Sequence, residues 1–217
     1  ILIGDILMIK YILINFILII FFPFCIYASE PVKIAAIFAH TGSAAKHNSP
    51  SIEGVRFAVN EINKRGGVIG SKFELIEIDN QSTPIGSKNA AQRAAQYNVT
   101  AIIGAAWSSH SIAIAPIAQK NKIPMISNIS TNPKVTKTGD YIFRACFTDE
   151  FQGQVLAKFA RNRLNAHSAV IFVDLTSNYS MGLSNEFEKN FKESGGKILL
   201  KLTYKSGQVD FEKIVLQ

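Results

Sequence analysis

The sequence predicts an α/β protein of two lobes, each a parallel sheet with flanking helices, the second lobe incomplete. Three observations carry that expectation. After residue 28, short β-rich runs alternate with stretches whose apolar residues repeat at helical spacing, the pattern of parallel βαβ units. The alternation restarts at Thr148-Asp149, which marks a second series. Only two convincing strands follow that restart, against about five in a doubly wound sheet. With 217 residues, 47% of them apolar, the chain is long enough for one large domain or two modest ones.

The first element, residues 1–28, is upstream sequence and a targeting segment. Tyr11 to Phe24 reads YILINFILIIFFPF without a charge, Met8-Ile9-Lys10 supplies a short positive start, and Cys25-Ile26-Tyr27-Ala28 leads to a cut after Ala28. An uncleaved membrane anchor competes, because Ile6 to Ile26 approaches the roughly 20 apolar residues that span a bilayer. Helix-breaking Pro23 and small Ala28 favour cleavage and an extracytoplasmic, periplasmic location. Removal at Ala28 leaves Cys146 as a lone cysteine, expected in the core, and no internal disulfide.

Residues 29–147 form the expected first lobe. A strand from Val32 to Ala39 enters the polar loop HTGSAAKHNSPS. A helix from about Ser51 to Arg65 follows, with Ile52, Val55, Val59 and Ile62 on one face and Gly66-Gly67 ending it. Next come strand Lys72 to Asp79, helix Ile85 to Gln96, strand Ala101 to Ile103 and a helix opening near Ser108 and reaching Lys120. Strand Pro124 to Ser127 and an extended run from Tyr141 to Phe147 complete the lobe. Residues 148–217 form the partial second lobe. Thr148-Asp149 caps a helix to Leu164, and strand Ser168 to Val173 follows. A loop with Tyr179, a helix presenting Leu183, Phe187 and Phe191, strand Lys197 to Tyr204 and a helix start at Asp210 come last.

The composition and motifs argue against several function classes. The net charge is +7, but Lys and Arg are scattered singly, so nucleic acid is not an expected partner. His40, His47, His110 and His167 lack metal-ligand spacing. The glycines of Gly66-Gly67-Val68-Ile69-Gly70 follow a helix, whereas a dinucleotide-binding turn follows a strand and opens a helix. No Walker motif and no Gly-x-Ser-x-Gly occurs. No enzyme and no cofactor is therefore expected. Binding is the default, because polar loops lie at the carboxyl ends of the strands, where open α/β sheets place ligands. In Gly104-Ala105-Ala106-Trp107-Ser108-Ser109, Ser108 can offer a hydroxyl beside free helix N–H groups to a carboxylate; equally, Ser108 or Ser109 serves only as an N-cap. Thr131 has the same two readings. Asp79 reads as a loop or cap residue, and the size of Trp107 points to the core.

Several segments in order carry a family resemblance: the HTG loop, EGVRFAVNEINKRGGVIGSKFELIEID, AIIGAAWSS, APIAQKNKIPMIS, YIFRACFTDEFQGQ and SNYSMGL. From Val32 to about Lys213 the chain resembles the type I periplasmic binding proteins, most closely the branched-chain amino acid (Leu/Ile/Val) receptors of ABC transporters. The resemblance implies two Rossmann-like lobes, an amino-acid-like ligand and a membrane permease as partner. It implies that Ser108 and Thr131 hold the ligand carboxylate, that the Ile129 carbonyl receives the ammonium, that His47 stands where the family has a first-loop aromatic, and that Tyr179 covers the ligand from the second lobe. Closure would bend the chain near Thr148. His47 in an aromatic position, with Asn128 and Ser130 nearby, implies a more polar ligand side chain than Leu, Ile or Val. The acidic partner for the ammonium is expected from sequence beyond Gln217. A transport receptor, a ligand-sensing receptor domain and a truncated product with little binding are the three functions consistent with this reading.

Overall fold

The computed structural model describes residues 30–212. The expected signal segment, its cut at Ala28 and most of the helix after Asp210 lie outside the described residues. The first lobe runs β1 (Val32–Phe38), α1 (Ala45–Lys64), β2 (Phe73–Asp79), α2 (Pro84–Gln96), β3 (Ala101–Gly104), α3 (Ser108–Lys120), β4 (Met125–Ser127), a short 3₁₀ turn (Thr136–Thr138) and β5 (Ile142–Arg144). The second contributes α4 (Asp149–Asn162), β6 (Ser168–Asp174), α5 (Asn178–Glu193) and β7 (Lys197–Tyr204). The first sheet has the order β2-β1-β3-β4-β5, every pair parallel, and β6 pairs with β7, also parallel. The fold class is the expected one: α/β, with two Rossmann-like lobes of parallel sheet, the second represented among the described residues by the β6–β7 pair.

The sheet order follows from apolar patterning. Ile34 to Ala39 of β1 and its exit are buried without alternation, as a central strand covered on both faces must be. On one face α2 and α3 bring Ala90, Ala91, Ala94, Ile114, Ala115 and Ala118 against Ile37, Ile102 and Met125. On the other, Ile52 of α1 meets Ala36 and Phe38. The many alanines let the helices lie close, and Ile114 fills the remaining depth; truncating it to Ala would cost about 2–5 kcal/mol. Thr83 caps α2, its Oγ1 accepting from Gly86 N–H at 2.9 Å with Pro84 at the first helical position.

One boundary differs in a way that matters for the site. Helix α1 begins at Ala45, six residues before the expected Ser51, despite Pro50 inside it. Asn48 drives the early start. Its Oδ1 accepts from Ala39 N–H at 3.1 Å and its Nδ2 donates to the Ala44 carbonyl at 3.0 Å, which fastens the first turn to the end of β1.

In the second lobe, Thr148 and Ser177 cap α4 and α5, and Asp149 and Glu150 complement the positive end of α4. Gly153 lets the two helices touch, since a Cβ there would lie 2.6 Å from that of Glu186. Ile171 and Val173 of β6 are buried, while the alternating Val170 and Phe172 are exposed.

Candidate functional site

Strand β1 is followed by β2 on one side of the sheet, and β3 lies on the other, so the loops leaving β1 and β3 part at a topological switch point. The chain leaves β3 through Gly104, where φ is +126° and a Cβ would collide with the Ile37 carbonyl oxygen. It then enters α3 at Ser108. A cleft of about 650 Å³ opens above this point, between the lobes. Lobe one lines it with Trp107, Ser108, His110, Ile129, Thr131 and Phe147, and lobe two with Gln152, Asp174, Thr176 and Tyr179.

A buried polar platform supports the lobe-one wall. Ser127 Oγ donates to the Ala105 carbonyl at 2.8 Å, and Ser130 Oγ lies 3.1 and 3.0 Å from the carbonyls of Ala105 and Ala106. Ser111 Oγ lies 2.8 Å from Ser130 Oγ and accepts from Ala105 N–H at 3.1 Å. All three serines are fully buried. From the side, the Arg144 guanidinium donates to the carbonyls of Ser130 and Asn132 at 2.8 and 3.0 Å and to Thr136 Oγ1 at 2.8 Å. The loop carrying Ile129 and Thr131 is therefore held at several points.

Polar bonds also join the lobes at the cleft edge. Asn132 Nδ2 donates to the Asn178 carbonyl at 2.7 Å, and Asn178 N–H and Nδ2 both reach Ser109 Oγ, at 3.0 and 3.3 Å. Asp149 N–H donates to the Thr131 carbonyl at 2.9 Å.

Burial shifts two of the titratable groups at or beneath the cleft. Burial lowers the His110 pKa, so the ring is neutral at pH 7; it stacks on Trp107 with centroids 5.4 Å apart, and its Nδ1 lies 3.4 Å from Asn80 Nδ2. Burial raises the Asp149 carboxyl above the usual range, against the opposing effects of the Thr131 hydroxyl and Arg144. Asp79, by contrast, is lowered: burial pushes it up, but donation from Thr41 Oγ1 and the N–H groups of Gln81, His40 and Thr41 outweighs that. Asp79 thus organises the loop after β1 and does not itself line the cleft. Among the described residues, no group of His, Cys, Asp and Glu is arranged to hold a metal ion.

The structure brings Ser108, Thr131, Ile129 and Tyr179 to one cleft. Ser108 is 2% exposed, and its Oγ accepts from Asn132 N–H at 3.3 Å. Neither serine caps α3; the cap position is Trp107. Tyr179 sits in the first turn of α5 and not in a loop, with its hydroxyl accepting from Gln152 Nε2 at 3.1 Å. His47 is not brought in. It lies exposed on α1, because the early helix start directs the neighbouring Asn48 inward instead. Asn128 and Ser130 do not add polarity to the cleft, since Ser130 belongs to the platform and Asn128 Nδ2 donates to Ser51 Oγ at 2.8 Å.

Trp107 overturns the expectation of a core residue. It is 40% exposed and lines the cleft, because it follows the carboxyl end of β3. Cys146 is only half-buried, since the chain has left β5 by then. Gln152 and Asp174 were not expected at the site; Asp174 ends β6, and that strand-end position was the available signal.

The periplasmic binding protein family model matches residues 31–217. The chain belongs to the periplasmic binding protein family. Among curated members, it is 27% identical over 189 residues to the leucine-, isoleucine-, valine-, threonine- and alanine-binding protein of Pseudomonas aeruginosa, covering 87% of this chain and 50% of that one. It is also 27% identical to the leucine-specific-binding protein of Salmonella typhimurium, with 86% and 51% covered. Among solved structures, a leucine-binding protein from Thermotoga maritima matches with a TM-score of 0.80 and 41% identity over 85% of this chain and 52% of that one. The branched-chain amino acid transporter substrate-binding protein of Streptococcus pneumoniae, solved with isoleucine, matches with a TM-score of 0.79 and 31% identity over 86% and 53%. The chain thus spans about half the length of these periplasmic binding proteins.

Proposed function

We propose that the protein captures an amino acid or similar small carboxylate between its lobes and presents it to the membrane permease of an ABC transporter. The observation that carries this reading is the convergence of Ser108 and Thr131 from lobe one and Tyr179 from lobe two on a single cleft. Ser108 Oγ already accepts from Asn132 N–H, so its own proton is left to donate to a ligand carboxylate. It does so beside the amino end of α3, which favours negative charge. The ligand ammonium would go toward the Ile129 carbonyl and toward Thr131, which departs from the carboxylate role that the resemblance implies for Thr131. Trp107, His110 and Phe147 offer a largely apolar surface with few polar anchors, as small-molecule sites do. Its named relatives bind leucine and other amino acids, which supports the ligand class. Binding would draw the lobes together, with Tyr179 covering the ligand.

Calorimetric titration of the chain with the individual amino acids tests the reading. Reversible one-site binding of a small set, with the ligand recovered unchanged, is expected. Absence of heat for every amino acid, or conversion of one of them, would remove the proposal.

A further inference from the structure

An amino acid differs from a plain carboxylate by its ammonium group, yet Asp174 is the single acidic residue among those lining the cleft. Its Oδ1 is already engaged by Thr176, accepting from the N–H at 2.8 Å and from the hydroxyl at 2.6 Å. A second carboxylate lies beneath the wall. Asp149 is 0% exposed, and neither of its oxygens has a well-formed hydrogen bond. Helix α5 seals it in, since a Cβ on Gly182 would collide with this carboxylate. Arg144 does not pair with it, because that guanidinium is committed to Ser130, Asn132 and Thr136.

The polar side chain that faces Asp149 is Thr131, itself 6% exposed and with no well-formed bond at Oγ1. The two residues are pinned together by the 2.9 Å bond from Asp149 N–H to the Thr131 carbonyl. Two adjacent unpaired groups are costly, and turning the Thr131 hydroxyl toward the carboxylate satisfies both. Above its raised pKa, where Asp149 is ionised, the pairing has only one polarity. An ionised carboxylate can only accept, so Thr131 must give it the proton and turn its lone pairs to the cleft. A hydroxyl held that way accepts from an ammonium and cannot donate to a carboxylate. Ser108 has the opposite arrangement.

We propose that Asp149 is a positioning residue for ammonium recognition: by taking the Thr131 proton it fixes Thr131 as an acceptor and sets a preference for amino acids over their des-amino counterparts. This rests on the amino-acid reading of the cleft.

The test is the ratio of affinities for leucine and 4-methylpentanoate, measured by calorimetry for the native chain, Asp149→Asn, Thr131→Val and the double variant. The native chain should favour leucine, Asp149→Asn should lower that ratio about tenfold, Thr131→Val should lower it similarly, and the double variant should show no further loss. Equal weakening of both ligands by Asp149→Asn would make the residue merely structural and overturn the proposal, as would additive effects in the double variant. Should Asp149→Asn not fold, Thr131→Ser against Thr131→Val decides: retention of the leucine preference by the valine variant overturns it. Native protein that binds 4-methylpentanoate as well as leucine overturns this inference alone, whereas native protein that binds neither removes the amino-acid reading and the inference together.

Discussion

The backbone N–H of Asn178 donates to Ser109 Oγ at 3.0 Å, joining the first turn of α5 to the first turn of α3 across the cleft. Together with the bond from Asn132 Nδ2 to the Asn178 carbonyl, it makes a polar seam. Polar bonds exchange readily with water, so such a seam can part without exposing a dry core.

Ser109→Ala should therefore loosen the seam. It removes the acceptor for two Asn178 donors, worth about 0.5–1.5 kcal/mol each. A several-fold larger open population is expected, read as a longer interlobe distance by pulsed electron spin resonance on labelled protein. An unchanged distance distribution would show that the seam does not hold the lobes.

Under the proposed function, Ser108→Ala should weaken amino-acid binding by about 1–3 kcal/mol, because a charged acceptor loses a donor in a buried place. Calorimetry measures it. Unaltered affinity would take Ser108 out of the site.

Arg144→Lys should cost about 1–2 kcal/mol of stability in urea denaturation and weaken ligand binding in parallel. A lysine keeps the charge but cannot reproduce the fork that reaches Ser130, Asn132 and Thr136 at once. Equal stability of the two proteins would mean that the 127–132 loop is held by the serine platform alone.

The raised Asp149 pKa has a definite sign in the pH dependence of stability. The folded state holds this proton more tightly than the unfolded chain, so the stabilising contribution is fully present below the ordinary aspartate range. It is lost as pH rises through the raised folded value. Asp149→Asn should flatten that fall in thermal melts across acid to neutral pH, and an identical profile would refute the assignment.

Glu188 should behave in the opposite way. Hydrogen bonds from Lys192 and Lys201 hold its pKa at about 2, so its contribution is present above 4.5 and disappears as pH falls toward 2. Because the cluster borders solvent, Glu188→Gln should cost only about 0.5 kcal/mol at neutral pH. Melting at low and high salt concentrations should show the difference shrinking as salt rises.

How much of this was legible in the sequence depended on whether a residue acts through local pattern or through a distant partner. The helix Ser108–Lys120 was readable, expected from near Ser108 to Lys120, because the serines that follow the strand end mark its start, although Pro116 lies inside it. The start of α1 was not, because it depends on Asn48 reaching back to Ala39, while Asn48-Ser49-Pro50 reads locally as a turn. Ser108 and Thr131 stood out as hydroxyls at strand ends. Ser130 carries the same chemistry one position away, and only the fold shows that its hydroxyl points to the carbonyls of Ala105 and Ala106. Asp149 read as a capping residue, since nothing local reveals that Gly182 of another helix shuts it away from water.

The serine platform under the lobe-one wall has a thermodynamic consequence. Ser111, Ser127, Ser130 and Arg144 order the loop during folding, so little further loop entropy remains to be lost when a ligand arrives. Under the proposed closure, such preorganisation confines the adjustment to the second lobe. Ligands that share the amino-acid head group should then meet nearly the same docking step on lobe one, and differences in affinity among them should reside mainly in how fast they leave.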